Sequence, residues 1–137
     1  MVQKQFRFKS WDGFIQIVLK KGLPARCEFF SLRTLPKEHS FIQSRYKKLV
    51  NTRPKLNANM PLAPKFAVVV SKKVSRSAVT RNRIRRRVFE WIRINLPKLN
   101  QDQLTMVFVH NDSVAKINYP ELDSQLKELF KKAKLYK

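Results

Sequence analysis

Between Ser71 and Arg93 the chain reads SKKVSRSAVTRNRIRRRVFEWIR, and the seven residues Arg81–Arg87 hold five arginines, one asparagine and one isoleucine. Like charges three or four apart on a helix repel one another. The pattern is nonetheless helical. Ser77 supplies a capping hydroxyl, and at about 100° per residue Ile84, Val88, Trp91 and Ile92 share one side, with Asn95 beyond them. Asn82, Arg86 and Arg93 fall opposite, flanked by Arg83 and Arg85. Pro97 ends the run, because it disfavours helix at Leu96 and has no amide proton. The spacing predicts a helix over 78–95 with its apolar side on a core. One or two outward arginines would read as a solvated face. This density calls for an external polyanion.

The rest of the composition agrees. The net charge is +21, from 30 Lys+Arg against 9 Asp+Glu. The excess runs along the whole chain, which favours RNA or DNA over an acidic protein patch. A membrane surface is not expected, since no lysine-rich amphipathic helix with exposed aromatics is present. The longest aliphatic run, Ala67 to Val70, is far too short to span a bilayer. At 137 residues, 43% of them hydrophobic, a single domain over 1–137 is expected. Cys27 is the only cysteine, so no internal disulfide can form; a reducing, cytoplasmic location fits. Residues 1–11 are basic and free of acids, and read as an RNA-binding arm in preference to a targeting peptide.

In chain order, Phe14, Ile15, Val18 and Leu19 have helical spacing after Asp12, and Gly22 then Pro24 close that segment. Glu28 to Leu35 alternates as a strand, with Phe30, Leu32 and Thr34 on one face and Phe29, Ser31 and Arg33 on the other. Residues 36–64 form an unusual insertion with four of the seven prolines. A short helix after Ser40, carrying Ile42, Tyr46 and Leu49, is expected there, the remainder being loop. Lys65–Ser71 and Leu104–His110 read as strands. A last helix begins near Pro120, with Leu122, Leu126, Leu129, Phe130 and Ala133 inward, acids in its first turn and lysines in its last. The fold class is α+β.

No side-chain constellation for catalysis emerges. Two glycines exclude a glycine-rich phosphate loop. His39 and His110 are isolated, Cys27 reads as a small packing residue, and the nine acids are scattered. Neither a catalytic residue nor a protein-held metal is assigned.

The residues Ala78-Val79-Thr80-Arg81-Asn82-Arg83-Ile84-Arg85-Arg86, preceded by Val70-Ser71-Lys72-Lys73-Val74, resemble the signature of the bacterial ribonuclease P protein subunit. In that family a strand ends in Ser-Lys-Lys and leads to the RNR helix. Phe14, Gly22, the segment around Phe30 and Leu32, and the final Leu-Tyr-Lys also resemble it. The likeness covers most of the chain except 36–64. It implies a two-layer sandwich of a small mixed sheet and helices with a left-handed βαβ crossover, an exception to the usual hand. It implies an accessory to a ribozyme whose RNA subunit uses bound Mg2+ to remove the 5′ leader of precursor tRNA. Ribonuclease P RNA and precursor tRNA are the implied partners, with no small-molecule substrate. The implied RNA contacts are Lys72, Lys73, Arg81, Asn82, Arg83, Arg85 and Arg86. The implied leader cleft has Phe14, Phe29, Ser31 and Arg33.

Three positions depart from the family pattern. Ser75 stands where glycine is usual, Phe89 where arginine is typical, and Arg33 near a frequent tyrosine. Phe89 either stacks on RNA or packs under 36–64; packing is favoured because soluble surfaces avoid phenylalanine. Two other readings compete: a non-catalytic RNA-binding protein, such as a ribosomal protein or RNA chaperone, and a protein-only nuclease gathering acids such as Asp102 and Asp112.

Overall fold

A computed structural model describes residues 6–9, 12–52 and 64–137. Its elements are α1 (Phe14–Lys21), β1 (Leu23–Arg26), β2 (Phe30–Pro36), α2 (Ser40–Thr52), β3 (Lys65–Val70), α3 (Ala78–Asn95), β4 (Gln103–Val109) and α4 (Tyr119–Lys132). The strands form one mixed sheet in the order β1-β2-β4-β3. β2 is antiparallel to β1 and β4, while β3 runs parallel to β4. The helix α3 is therefore the crossover between adjacent parallel strands. The protein is an α+β fold, as its periodicities predict.

Alternation along the strands divides the core. Phe30 and Leu32 of β2, Phe66, Val68 and Val70 of β3, and Val107 and Val109 of β4 face α3 and α4. The inward stripe of α3 is Ile84, Val88, Phe89, Trp91, Ile92 and Asn95, all buried. From α4 come Leu122, Leu126, Leu129 and Phe130. The opposite sheet face holds Leu35, Leu104 and Met106, covered by Phe14 and Val18 of α1 and by Ile42 and Leu49 of α2. The helices thus pack on both faces, α1 and α2 covering only part of theirs. Each fully buried large side chain stabilises the fold by about 1.5–3 kcal/mol, so the apolar stripe of α3 outweighs the repulsion along its arginine side, which is a few tenths of a kcal/mol per pair.

The helix expected after Ser40 is present and longer than expected, reaching Thr52. Its attachment explains Gly13. That residue has φ 76°, and a β-carbon there would lie 2.7 Å from Nε of Arg45. The same Nε donates to the Asp12 carbonyl at 2.8 Å. Asp12 ties the entry to α1, its carboxylate accepting from the amides of Lys9 (2.7 Å) and Phe14 (2.9 Å). The strand β1 has no signal in the sequence pattern. It has four residues, begins beside Gly22 and contains Pro24, which an edge strand tolerates. The parts of the expected arm and insertion at 1–5, 10–11 and 53–63 lie outside the described residues.

Candidate RNA interface

The cationic surface is built by the turn after β3 and the outward side of α3. Ser77 caps the helix, its hydroxyl accepting from the Thr80 amide at 3.2 Å. The turn forms without glycine: apart from Gly13, only Lys134 among the described residues has positive φ. Ser75 instead accepts from the Ser77 amide through its hydroxyl at 3.3 Å. Lys72, Lys73, Asn82, Arg83 and Arg86 are exposed. Among the described residues, none of those four cations has an ion-pair partner. No acidic residue occurs between Glu38 and Glu90 in the sequence. The local field is thus strongly positive, as a polyanion site requires.

The five arginines of Arg81–Arg87 separate by role. Arg83 and Arg86 are exposed. Arg81 is half-buried, its Nη1 donating to the carbonyls of Ser75 (2.9 Å) and Arg76 (3.0 Å). It therefore holds the turn as well as carrying charge. Arg85 donates to Oδ1 of Asn82, a pairing that fixes both side chains on the helix surface. Arg87 turns away from the cationic side. Its Nη1 donates to the Val114 carbonyl at 2.7 Å and its Nη2 to that of Ile117 at 2.6 Å. Burial, then the neighbouring Arg83, draws its guanidinium pKa below the ordinary value, yet arginine stays charged.

Phe89 resolves toward packing. It is buried in the core cluster formed by α3, α4 and the sheet.

The expected leader cleft is brought together only in part. Ser31 and Arg33 lie half-buried on the α1 side of the sheet, as alternation requires. Arg33 donates from Nη1 to the Leu19 carbonyl at 3.3 Å. Ser31 Oγ lies 2.6 Å from Nε2 of His110. Phe14, by contrast, is 2% exposed within the second core cluster, so its ring is committed to packing. Phe29 precedes β2 and packs against the α3–α4 cluster on the other side. The alternation holds only from Phe30, where the strand begins. Arg26 pairs with Ser31 between β1 and β2, and His110 lies beside it. The contact with His110 spans 79 residues of sequence and could not be read from local pattern. Burial, then Arg26, holds the His110 imidazole below its ordinary 6.5.

Cys27 is buried, its thiol 3.7 Å from the Gln125 carbonyl and pushed up by burial. It is a packing residue. No three His, Cys, Asp or Glu side chains converge as a metal site among the described residues. No described helix is long and apolar enough to cross a membrane.

Comparison with known proteins adds identity to this geometry. A ribonuclease P protein component from a Cyanothece species is 29% identical over 135 residues, covering 98% of this chain and 97% of that protein. One from Clostridium botulinum is 40% identical over 72 residues, covering 53% of this chain and 64% of the relative. Among solved structures, the RNase P protein of Staphylococcus aureus matches with TM-score 0.67 at 18% identity, over 96% of this chain and 98% of that one. That of Thermotoga maritima matches with TM-score 0.65 at 16% identity, over 91% and 94%. At such identities the likeness speaks to the fold alone. The family model described as Ribonuclease P matches residues 2–134. With that match spanning nearly the whole chain, the protein belongs to the ribonuclease P protein family.

Proposed function

We propose that this chain is the cytoplasmic protein subunit of a ribonuclease P ribonucleoprotein. It binds the catalytic RNA through Lys72, Lys73, Arg81, Asn82, Arg83, Arg85 and Arg86. It grips the 5′ leader of precursor tRNA on the α1 side of the sheet, near Ser31 and Arg33. The observation that carries this reading is the cluster of exposed cations on a rigid helix in a family-matched fold. Each phosphate neutralised adds affinity that falls with salt. Hydrogen bonds from Ser31, Arg33, Arg26 or His110 would position an extended strand without demanding one sequence. With Phe14 and Phe29 packed inward, leader binding here rests on polar and charged contacts more than on stacking.

Magnesium belongs to the RNA in this reading. The described side chains offer no converging ligand set, so no step of the reaction is assigned to a protein-held ion. The protein's part is to lower phosphate repulsion so that the RNA holds its own ions at lower concentration. The test is reconstitution with a cognate catalytic RNA at low magnesium, measuring cleavage of precursor tRNAs with long and short leaders. The expected result is a rate gain over RNA alone that grows with leader length. No gain overturns the proposal. RNA binding with no leader dependence would point to a simple RNA-binding protein. Cleavage without the RNA subunit would point to a protein nuclease.

A further inference from the structure

An open pocket of about 410 Å³ lies where α3 meets the start of α4. Its walls are Arg86, Arg87 and Glu90 of α3 and Tyr119 and Leu122 of α4. Among the described residues, none of α1 or of the sheet lines it, so it is separate from the surface at Ser31 and Arg33. Each wall has its own chemistry. Leu122 is 1% exposed and forms an apolar floor, whereas Tyr119 is 45% exposed and offers an aromatic face. The backbone holds Tyr119 in place: Asn118 caps α4, its side chain accepting from the Glu121 amide at 2.9 Å, and Pro120 follows. Arg86 is exposed, and Glu90, one helical turn on, is half-buried. Nε of Arg93 donates to Oε1 of Glu90 at 3.0 Å, and its Nη2 donates to the same oxygen. These bonds orient the carboxylate, which accepts about four hydrogen bonds in all, so the two from Arg93 do not exhaust it. Arg87 is a wall and not a contact, because the carbonyls of Val114 and Ile117 claim its guanidinium.

We infer that this pocket receives one guanine nucleotide, its base stacked on Tyr119, its Watson–Crick edge on the Glu90 carboxylate and its phosphate on Arg86. The volume is in the range of small-ligand pockets. A planar guanidinium suits phosphate oxygens, and unpaired RNA bases are read by stacking on an aromatic and by hydrogen bonds to their edges. The acid sets both the orientation and the base. A carboxylate repels phosphate, so the base turns inward to Glu90 and the phosphate stays with Arg86. Among the four bases, only guanine puts two adjacent donors on that edge, N1–H and the N2 amine, and a carboxylate is acceptor-only. Adenine and cytosine set a ring acceptor beside their amine, and uracil flanks its single N–H with two carbonyls. An inorganic anion would leave the Tyr119 ring unused and face Glu90. A purely apolar ligand would leave Arg86 and Glu90 without polar partners. The inference deepens the RNA-binding reading and rests on it in taking the partner RNA as the source; a free guanine nucleotide presents the same chemistry.

The test uses the full chain and a labelled five-nucleotide uridine strand whose central base is guanine, adenine or hypoxanthine, read by fluorescence anisotropy at fixed salt. The guanine strand is expected to bind about tenfold tighter than the adenine strand, within the range of one bidentate base contact. Hypoxanthine, which keeps N1–H and lacks the amine, should fall between them. Glu90→Gln should abolish the preference. Tyr119→Leu should weaken the guanine strand about tenfold, within the range of one lost stacking contact, and Tyr119→Phe should restore it. A circular dichroism spectrum and melting curve close to the parent's establish that each variant is folded. Displacement of the guanine strand by GMP shows that a free nucleotide suffices, and resistance to GMP assigns the pocket to a strand. Equal affinity for guanine and adenine strands in the parent chain overturns the inference, as does a preference unchanged in folded Glu90→Gln or an affinity unchanged in folded Tyr119→Leu. The outcome is separable from the reconstitution test. Cleavage stimulation without a guanine preference sinks the pocket and leaves the RNA-binding reading, and a guanine preference without stimulation does the reverse.

Discussion

Arg87→Met separates the arginine that builds the fold from those that face outward. Methionine keeps most of the aliphatic stem and removes the two donors to Val114 and Ile117. Hydrogen bonds from a charged group contribute about 1.5–3 kcal/mol each. Arg87 is only half-buried, so water recovers part of the loss, and we halve the sum to about 1.5–3 kcal/mol. Unfolding entropy of about 2.1 cal/mol/K per residue over this length converts that to a Tm lower by about 5–10 °C. The assay is thermal unfolding followed by circular dichroism. The companion measurement is RNA affinity at several salt concentrations. Arg87→Met should leave the log–log salt slope unchanged. Arg83→Met should do the reverse, leaving Tm within about 2 °C and flattening the slope by about 0.7–0.9 for one lost phosphate contact. An Arg87→Met protein that melts like the parent but loses salt slope would refute the division of labour.

Three further outcomes follow from the geometry. Ser77→Ala removes the cap on the Thr80 amide and should cost about 1 kcal/mol, read as a lower urea midpoint with unchanged m-value. For Asp123, burial pushes the carboxyl up, but the Trp91 indole N–H (2.8 Å) and Lys127 outweigh it, so its pKa sits below the ordinary 3.8. The depressed pKa gives stability that is present above pH 3.8 and lost as pH falls through the lower folded value; acid titration of Tm should show that loss, diminished in Trp91→Phe. His110 has a folded pKa below 6.5, so the folded state binds fewer protons than the unfolded one. Its contribution is present above pH 6.5 and lost as pH falls below it; His110→Gln should flatten the Tm profile between about pH 7.5 and 5.5.

Features set by local pattern were legible in the sequence. The helix predicted over 78–95 is Ala78–Asn95, capped by Ser77, with the predicted stripe buried. The strands at Lys65–Val70 and Gln103–Val109 lie where β-branching and length put them. Features set by partners were not. β1 has too few residues and too little alternation to declare itself, and its pairing with β2 creates it. The family resemblance implies Phe14 and Phe29 as leader-cleft residues; the tertiary packing buries Phe14 in one core cluster and sets Phe29, half-buried, against the other. Arg87 and Arg83 are chemically identical, and the carbonyls that claim Arg87 come from about thirty residues downstream. The pocket beside Glu90 needed the start of α4 to be seated against α3.

The helix carrying the arginines also links β3 to β4 and buries its other side against both. It has no hinge between what it holds outside and what it packs inside. Ligand pull on its outer surface is therefore borne by the parallel pair β3 and β4. Amide exchange along Phe66–Val70 and Leu104–Val109 should slow once RNA is seated, even though those amides never touch it. The free subunit, self-repelling at +21, would then be the loosest form of this protein, and its assembly partner would act as its missing counterweight.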